Sequence, residues 1–199
     1  MDKVKLMEQI SVELDNFSES PLYKYRVDNE YYPVIGEGDL DAKVMFIGEA
    51  PGKKEAETAK PFCGASGRVL DELLDSINLN RQSVYVTNVV KDRPQDNRDP
   101  TATEVAFYTP FLRRQIDIIE PTVVATLGRF AMDFMLNNFK HDIGRLKISE
   151  AHGQHYQLET DEGTEFIFAP LYHPAVALYN GSKKVVLLQD FKILSKLIS

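Results

Sequence analysis

Cysteine is almost missing from the 199-residue chain, which has a single one, Cys63. One thiol excludes an internal disulfide framework, and it excludes a zinc or iron–sulfur site made from four cysteines of the chain. Long apolar runs are missing too, since none approaches the ~20 residues a helix needs to cross a bilayer. The N-terminal run Met1-Asp2-Lys3-Val4-Lys5 alternates charge and does not read as a signal peptide. Repeats and low-complexity tracts are absent. A basic excess is lacking as well: the net charge of −7 speaks at first against a nucleic-acid partner. What remains is an ordinary globular composition, 43% apolar, long enough for one sizeable core. The expectation is one domain over residues 1–199, soluble, cytoplasmic, monomeric and not bound to membrane.

The charge is unevenly spread. Residues 1–41 hold ten acids and four bases, so they carry −6 of the −7. Three later windows are locally basic: 51–68 (Lys53, Lys54, Lys60, Arg68), 81–98 (Arg81, Lys91, Arg93, Arg98) and the C-terminal stretch with Lys183, Lys184, Lys192 and Lys196. Phosphate affinity depends on such local surfaces, although on charge alone three ordinary solvated faces are the favoured account of them.

Apolar spacing predicts helices over 3–16, 66–77, from Thr103 to Pro121, from Gly128 to about Leu136, and over about 183–198. Short apolar runs predict strands over 43–48, 83–88 and 122–126. A hairpin is expected from 154–158 and 165–169, and residues 18–41 read as an irregular connection. Alternating strands and helices imply a three-layer α/β/α sandwich around a four-stranded, mostly parallel sheet.

In such a sheet, ligands bind beyond the carboxyl ends of the strands. Three strand ends deliver unusual residues there: Gly48-Glu49-Ala50-Pro51-Gly52, Thr87-Asn88 and Tyr172-His173-Pro174. The glycines allow close backbone approach to a ligand, but neither Walker spacing nor GxGxxG is present, which disfavours a nucleotide-binding Rossmann protein.

Together with Glu55, Pro61-Phe62-Cys63-Gly64-Ala65-Ser66-Gly67, Val84 to Lys91, Arg93-Pro94, Asn97-Arg98-Asp99-Pro100 and His173-Pro174-Ala175, these segments resemble the family 4 uracil-DNA glycosylases over about residues 17–198. The resemblance implies the same sandwich fold and hydrolysis of the bond between uracil and deoxyribose in single- or double-stranded DNA, starting base-excision repair. It implies Glu49, Asn88 and His173 as catalytic residues. Gly48, Ala50, Pro51, Gly52, Glu55, Phe62 and Asn88 would bind the flipped base, with Glu55 blocking the thymine methyl. DNA contacts would come from Ser66, Lys91, Arg93, Arg98, Pro174, Ala175 and Leu178, with Leu178 as minor-groove wedge. No metal or other cofactor is expected in the reaction.

The chain departs from that family in one respect. Members usually carry four cysteines holding a structural [4Fe–4S] cluster, and Phe17, Ser20, Asp92 and Tyr108 align there. None can supply a thiolate, so apolar contacts from Phe17 and Tyr108 are expected to replace the cluster. A related branch that captures DNA covalently uses a histidine after the second strand, and residues 91–100 contain none. Two other functions stay open at this point: a non-catalytic DNA-binding scaffold derived from a glycosylase, and a hydrolase acting on free nucleosides.

Overall fold

The computed structural model describes residues 2–198; Met1, part of the N-terminal run considered above, lies outside them. Helix α1 (Lys3–Asp15) is capped by the Asp2 carboxylate, which accepts from the Val4 N–H, and it buries Met7, Ile10 and Leu14. The connection expected to be irregular contains a short helix, α2 (Tyr23–Asp28), and a two-residue strand, β1 (Glu37–Gly38). Neither is long enough to leave a periodic signal. The chain continues through β2 (Val44–Gly48), the unforeseen short helix α3 (Lys53–Thr58), α4 (Ala65–Asp75) and β3 (Tyr85–Asn88). Helix α5 (Ala102–Ile119) is capped by Thr101 rather than Thr103. Thr101 Oγ1 accepts from the Glu104 N–H while the Glu104 carboxylate accepts from the Thr101 N–H, a reciprocal pairing that fixes the start. Then come β4 (Val123–Leu127), α6 (Arg129–Asn138), the short α7 (Ile148–Ala151), the hairpin β5 (Tyr156–Glu159) and β6 (Glu165–Leu171), the short α8 (Val176–Tyr179) and α9 (Gly181–Leu197).

The sheet has six strands in the order β1-β3-β2-β4-β6-β5, two more than the sequence suggested. The central four are parallel; at the edges β1, which the sequence did not suggest, and β5, the first arm of the expected hairpin, pair antiparallel. Period-two alternation puts a core on each face. Met45 and Ile47 of β2 pack with residues of α1, α5 and α6, whereas Val44 and Phe46 pack with α4 and α9. This gives the three layers. From β2 the chain moves to β3 on one side, and β4 lies on the other. The sheet thus changes winding direction at the carboxyl end of β2, where an open α/β sheet leaves a crevice.

Candidate active site

A cavity of about 640 Å³ opens at that crevice, within the usual range for small-ligand sites. Segment Glu49 to Glu55, following β2, forms one wall; Asn88 at the end of β3 and His173 after β6 form others; Phe62 and Ser66 close it beside α4. Two close approaches require glycine. A Cβ on Gly48 would sit 2.4 Å from Asn88 Oδ1 and 2.7 Å from the Phe62 ring, and one on Gly67 would sit 1.6 Å from the Phe62 carbonyl. Phe62 itself is held at φ 51°, a left-handed conformation that non-glycine residues rarely adopt. Its ring lies 5.8 Å from that of His173, inclined by 30°.

Asn88 is only 2% exposed, and among the described residues its side-chain amide has no hydrogen-bond partner. Its amide is not among the polar groups shut off from solvent, so its one acceptor and two donors stay available to a ligand in the cavity it lines. His173 Nδ1 accepts from the Ala175 N–H at 3.1 Å, which places the ring proton on Nε2. Burial pushes the His173 pKa down to about 4, so the ring is neutral at physiological pH. Burial raises the Glu49 pKa, the neighbouring Asp99 raises it further, and Arg129 partly offsets both. The Glu55 carboxylate accepts from the Gly64 N–H at 3.3 Å, linking α3 to the start of α4.

Eleven of the residues singled out in the sequence line this cavity: Glu49, Ala50, Pro51, Gly52, Glu55, Phe62, Ser66, Asn88, Arg98, His173 and Ala175. Gly48 lies directly beneath Asn88 and Phe62, and Pro174 is buried under the rim. Leu178 is 43% exposed on α8 and so is not packed into the last helix. Arg98 is held by Glu104 through two bonds of 2.6 and 2.8 Å. Arg93 is outside the lining, half-buried between the Tyr25 and Tyr31 hydroxyls and Asn97. Lys91 is a correction: it is fully buried and cannot touch a DNA strand. Seven lining residues were not named as site residues from the sequence: Lys53, Lys54, Gly64, Ala65, Pro94, Asn97 and Asp99. Tyr179, next to Leu178, was also passed over and is 89% exposed. Asp99 and Asn97 stand inside a motif already singled out, whereas Tyr179 gives no signal beyond its place in the loop.

The sequence profile of the uracil DNA glycosylase superfamily matches residues 35–192, most of the chain and every wall of the cavity. The chain belongs to that superfamily. Within it, the chain is 38% identical to a type-4 uracil-DNA glycosylase of Sulfurisphaera tokodaii, covering 96% of this chain and 84% of that protein. It is 40% identical to one of Archaeoglobus fulgidus (87% and 84% covered) and 36% identical to one of Thermotoga maritima (94% and 92% covered).

The iron–sulfur cluster of family 4 glycosylases does not fit this chain. Ser20, Asp92 and Tyr108, aligned with the cluster cysteines, do meet in space, but as oxygen donors and acceptors bonded to one another. Tyr108 donates to Asp92 at 2.5 Å and so receives the Ser20 hydroxyl at 2.6 Å, while Ser20 Oγ accepts from the Leu22 N–H. Arg26 completes the set. It donates to both Asp92 oxygens, at 3.1 and 3.2 Å, and to the carbonyls of Leu14 and Asp15 at the end of α1. Phe17 packs edge-on against Tyr108 and Phe111, at 5.8 and 5.0 Å. The expected apolar contacts are there, between the Phe17 and Tyr108 rings, but the Tyr108 hydroxyl adds a polar tie that the expectation left out. In this glycosylase a buried ion pair and a hydroxyl relay tie α1 to the segment after β3.

Proposed function

We propose that this protein is a uracil-DNA glycosylase that hydrolyses the N-glycosidic bond of a flipped deoxyuridine, leaving an abasic site for base-excision repair. The observation that carries this reading is the Asn88 amide, free of hydrogen bonds to the protein and accessible from a cavity shared with Phe62, His173 and Glu49. A base inside a duplex is out of reach, so it must swing into the cavity, where the Phe62 ring offers a stacking face. Stacking suits any base; the amide selects. Its acceptor takes the N3–H of uracil and its donor bonds O4, whereas cytosine presents the reverse pattern and leaves buried groups unpaired, at about 1–3 kcal/mol each.

In the reaction the C1′–N1 bond breaks and its electron pair leaves with uracil, while a water oxygen bonds C1′ and loses its proton to solvent, from which the released uracil anion is protonated. The neutral His173 ring donates from Nε2 to the developing oxyanion at uracil O2, a contact of the kind that contributes about 3–4 kcal/mol. Glu49, as the carboxylate, orients the water and favours the cationic sugar. Glu55, beside the base, keeps out the 5-methyl of thymine. The open first turn of α4 around Ser66, together with Lys53, Lys54 and Arg98, receives phosphates, and Leu178 with Tyr179 fills the space left in the duplex. We infer further that residues 1–199 work as one unit, as a monomer. The exposed free thiol of Cys63 suits a reducing compartment such as the cytoplasm.

The test is alkali-sensitive nicking of uracil-containing oligonucleotides, single- and double-stranded, in the presence of EDTA and beside free deoxyuridine. Nicking of both oligonucleotides with deoxyuridine untouched is expected. DNA binding without nicking at enzyme excess would favour the scaffold, and cleavage of deoxyuridine would favour a nucleoside hydrolase.

A further inference from the structure

Lys91 has no part in the mechanism above, yet it is one of the largest side chains wholly removed from solvent. Among the described residues no carboxylate pairs with it. Its Nζ instead meets three neutral oxygens: Thr87 Oγ1 at 2.7 Å, the Asn88 carbonyl at 2.7 Å and Gln115 Oε1 at 2.6 Å.

Donor counting fixes its protonation. The Thr87 hydroxyl has one hydrogen, and it is donated to the Ile35 carbonyl at 2.7 Å, so Thr87 faces Nζ as an acceptor. Gln115 Nε2 donates to the same Ile35 carbonyl at 2.9 Å and to the Tyr85 hydroxyl at 3.2 Å, which turns Oε1 toward Nζ. The Asn88 carbonyl can only accept. Three acceptors require three N–H groups, and only the ammonium has them. Burial acts against that charge and pushes the Lys91 pKa well down, but a neutral amine would turn its lone pair against one of the three oxygens. The cation is therefore held by a complete tripod.

One leg of the tripod is the peptide that carries the base reader. The carbonyl of Asn88 is capped by Nζ, while the N–H of the same peptide, that of Val89, bonds the Gly48 carbonyl at 2.9 Å. Both ends of the peptide plane are thus fixed. The main chain of Lys91 is pinned in turn, its carbonyl accepting from the Val34 N–H at 2.7 Å. Above the peptide the Asn88 amide has no slack, because its Oδ1 lies against Gly48 where even a Cβ would not fit. A small rotation of this peptide would drive the amide into Gly48 or away from the base.

We propose that Lys91 is the positioning residue of the base-reading amide, its ammonium capping the Asn88 carbonyl and so fixing the side chain that binds uracil. This rests on the functional reading given above. Lys91→Met keeps the aliphatic stem and removes all three donors. Single-turnover excision of uracil should fall about tenfold to a hundredfold, the cost of a misplaced reacting group. Affinity for free uracil should fall in parallel, while affinity for abasic-site DNA stays unchanged. Leu158→Ala opens a cavity under the edge strand β5, outside this network; its melting temperature should drop while excision stays near wild type. Wild-type rate and uracil affinity in Lys91→Met overturn the inference. Equal losses in Leu158→Ala, or loss of abasic-DNA affinity as well, also overturn it by marking general damage. Should Lys91→Met fail to fold, Lys91→Gln retains two N–H donors and is read in the same way: a partial loss of rate with uracil affinity is expected, and a wild-type rate overturns the inference. Absence of excision by the unmodified protein overturns the functional reading and this inference together; normal excision with an indifferent Lys91→Met overturns this one alone.

Discussion

At His173, burial and the Ala175 N–H act in the same direction, since both oppose a proton on Nδ1. At Glu49 they divide: burial and Asp99 disfavour the carboxylate, and Arg129 favours it. These two directions set the pH dependence of the chemical step. In the proposed mechanism Glu49 works as the carboxylate, so the rate should fall as pH drops through its pKa, which burial raises above 4.5. His173 stays neutral down to about 4, so it adds no step near the free histidine value of 6.5. Single-turnover rates across the acid range should therefore show one acid limb and a plateau through neutrality. Asp99→Asn should move that limb to lower pH, because a charge that opposes ionisation of Glu49 is gone. A rate that falls as pH rises through 6.5, in a manner abolished by His173 variants, would mean that the charged imidazole is the working form.

Among the elements, the segment after β3 is held to α1 by a buried polar tie. Arg26 joins the end of α1 to Asp92, and Tyr108 of α5 and Ser20 close the relay. Arg26→Met would strand a buried carboxylate, an expected loss of about 3–5 kcal/mol in denaturant melts. Arg26→Met combined with Asp92→Leu should recover much of that loss, since no unpaired charge remains; equal losses in the single and double variants would contradict this account of the tie. The same elements show what the sequence made legible. Helices α1, α4, α5, α6 and α9 have apolar stripes long enough to read, whereas α2, α3, α7 and α8 span four to six residues each and are set by tertiary contacts. Glu49, Asn88 and His173 were legible because each follows an apolar strand at a break in the pattern. Lys91 was misread because a lysine is exposed by default, and its three acceptors come from positions 87, 88 and 115 that only the fold assembles. Asp92, Tyr108 and Ser20 could be aligned with missing cysteines, but a hydroxyl relay to Arg26 has no sequence signature.

For the molecule as a whole, a net charge of −7 is compatible with a DNA substrate because most of it is carried by residues 1–41, whereas Lys53, Lys54 and Arg98 stand at the cavity. Lys53→Ala and Lys54→Ala should each weaken DNA binding regardless of sequence and lower the salt dependence of log Kd by about one unit of slope. Unchanged slopes would move the DNA path away from α3. The central claim is that the Asn88 amide and the neutral His173 ring act on one flipped uracil. Its most direct test is the single-turnover excision rate of the unmodified protein beside Asn88→Ala and His173→Ala, on one uracil-containing duplex at neutral pH, with a melting curve for each. The account predicts excision by the unmodified protein, rates at least about a hundredfold lower in both variants, and melting temperatures largely retained. Excision at the unmodified rate in both folded variants would contradict it.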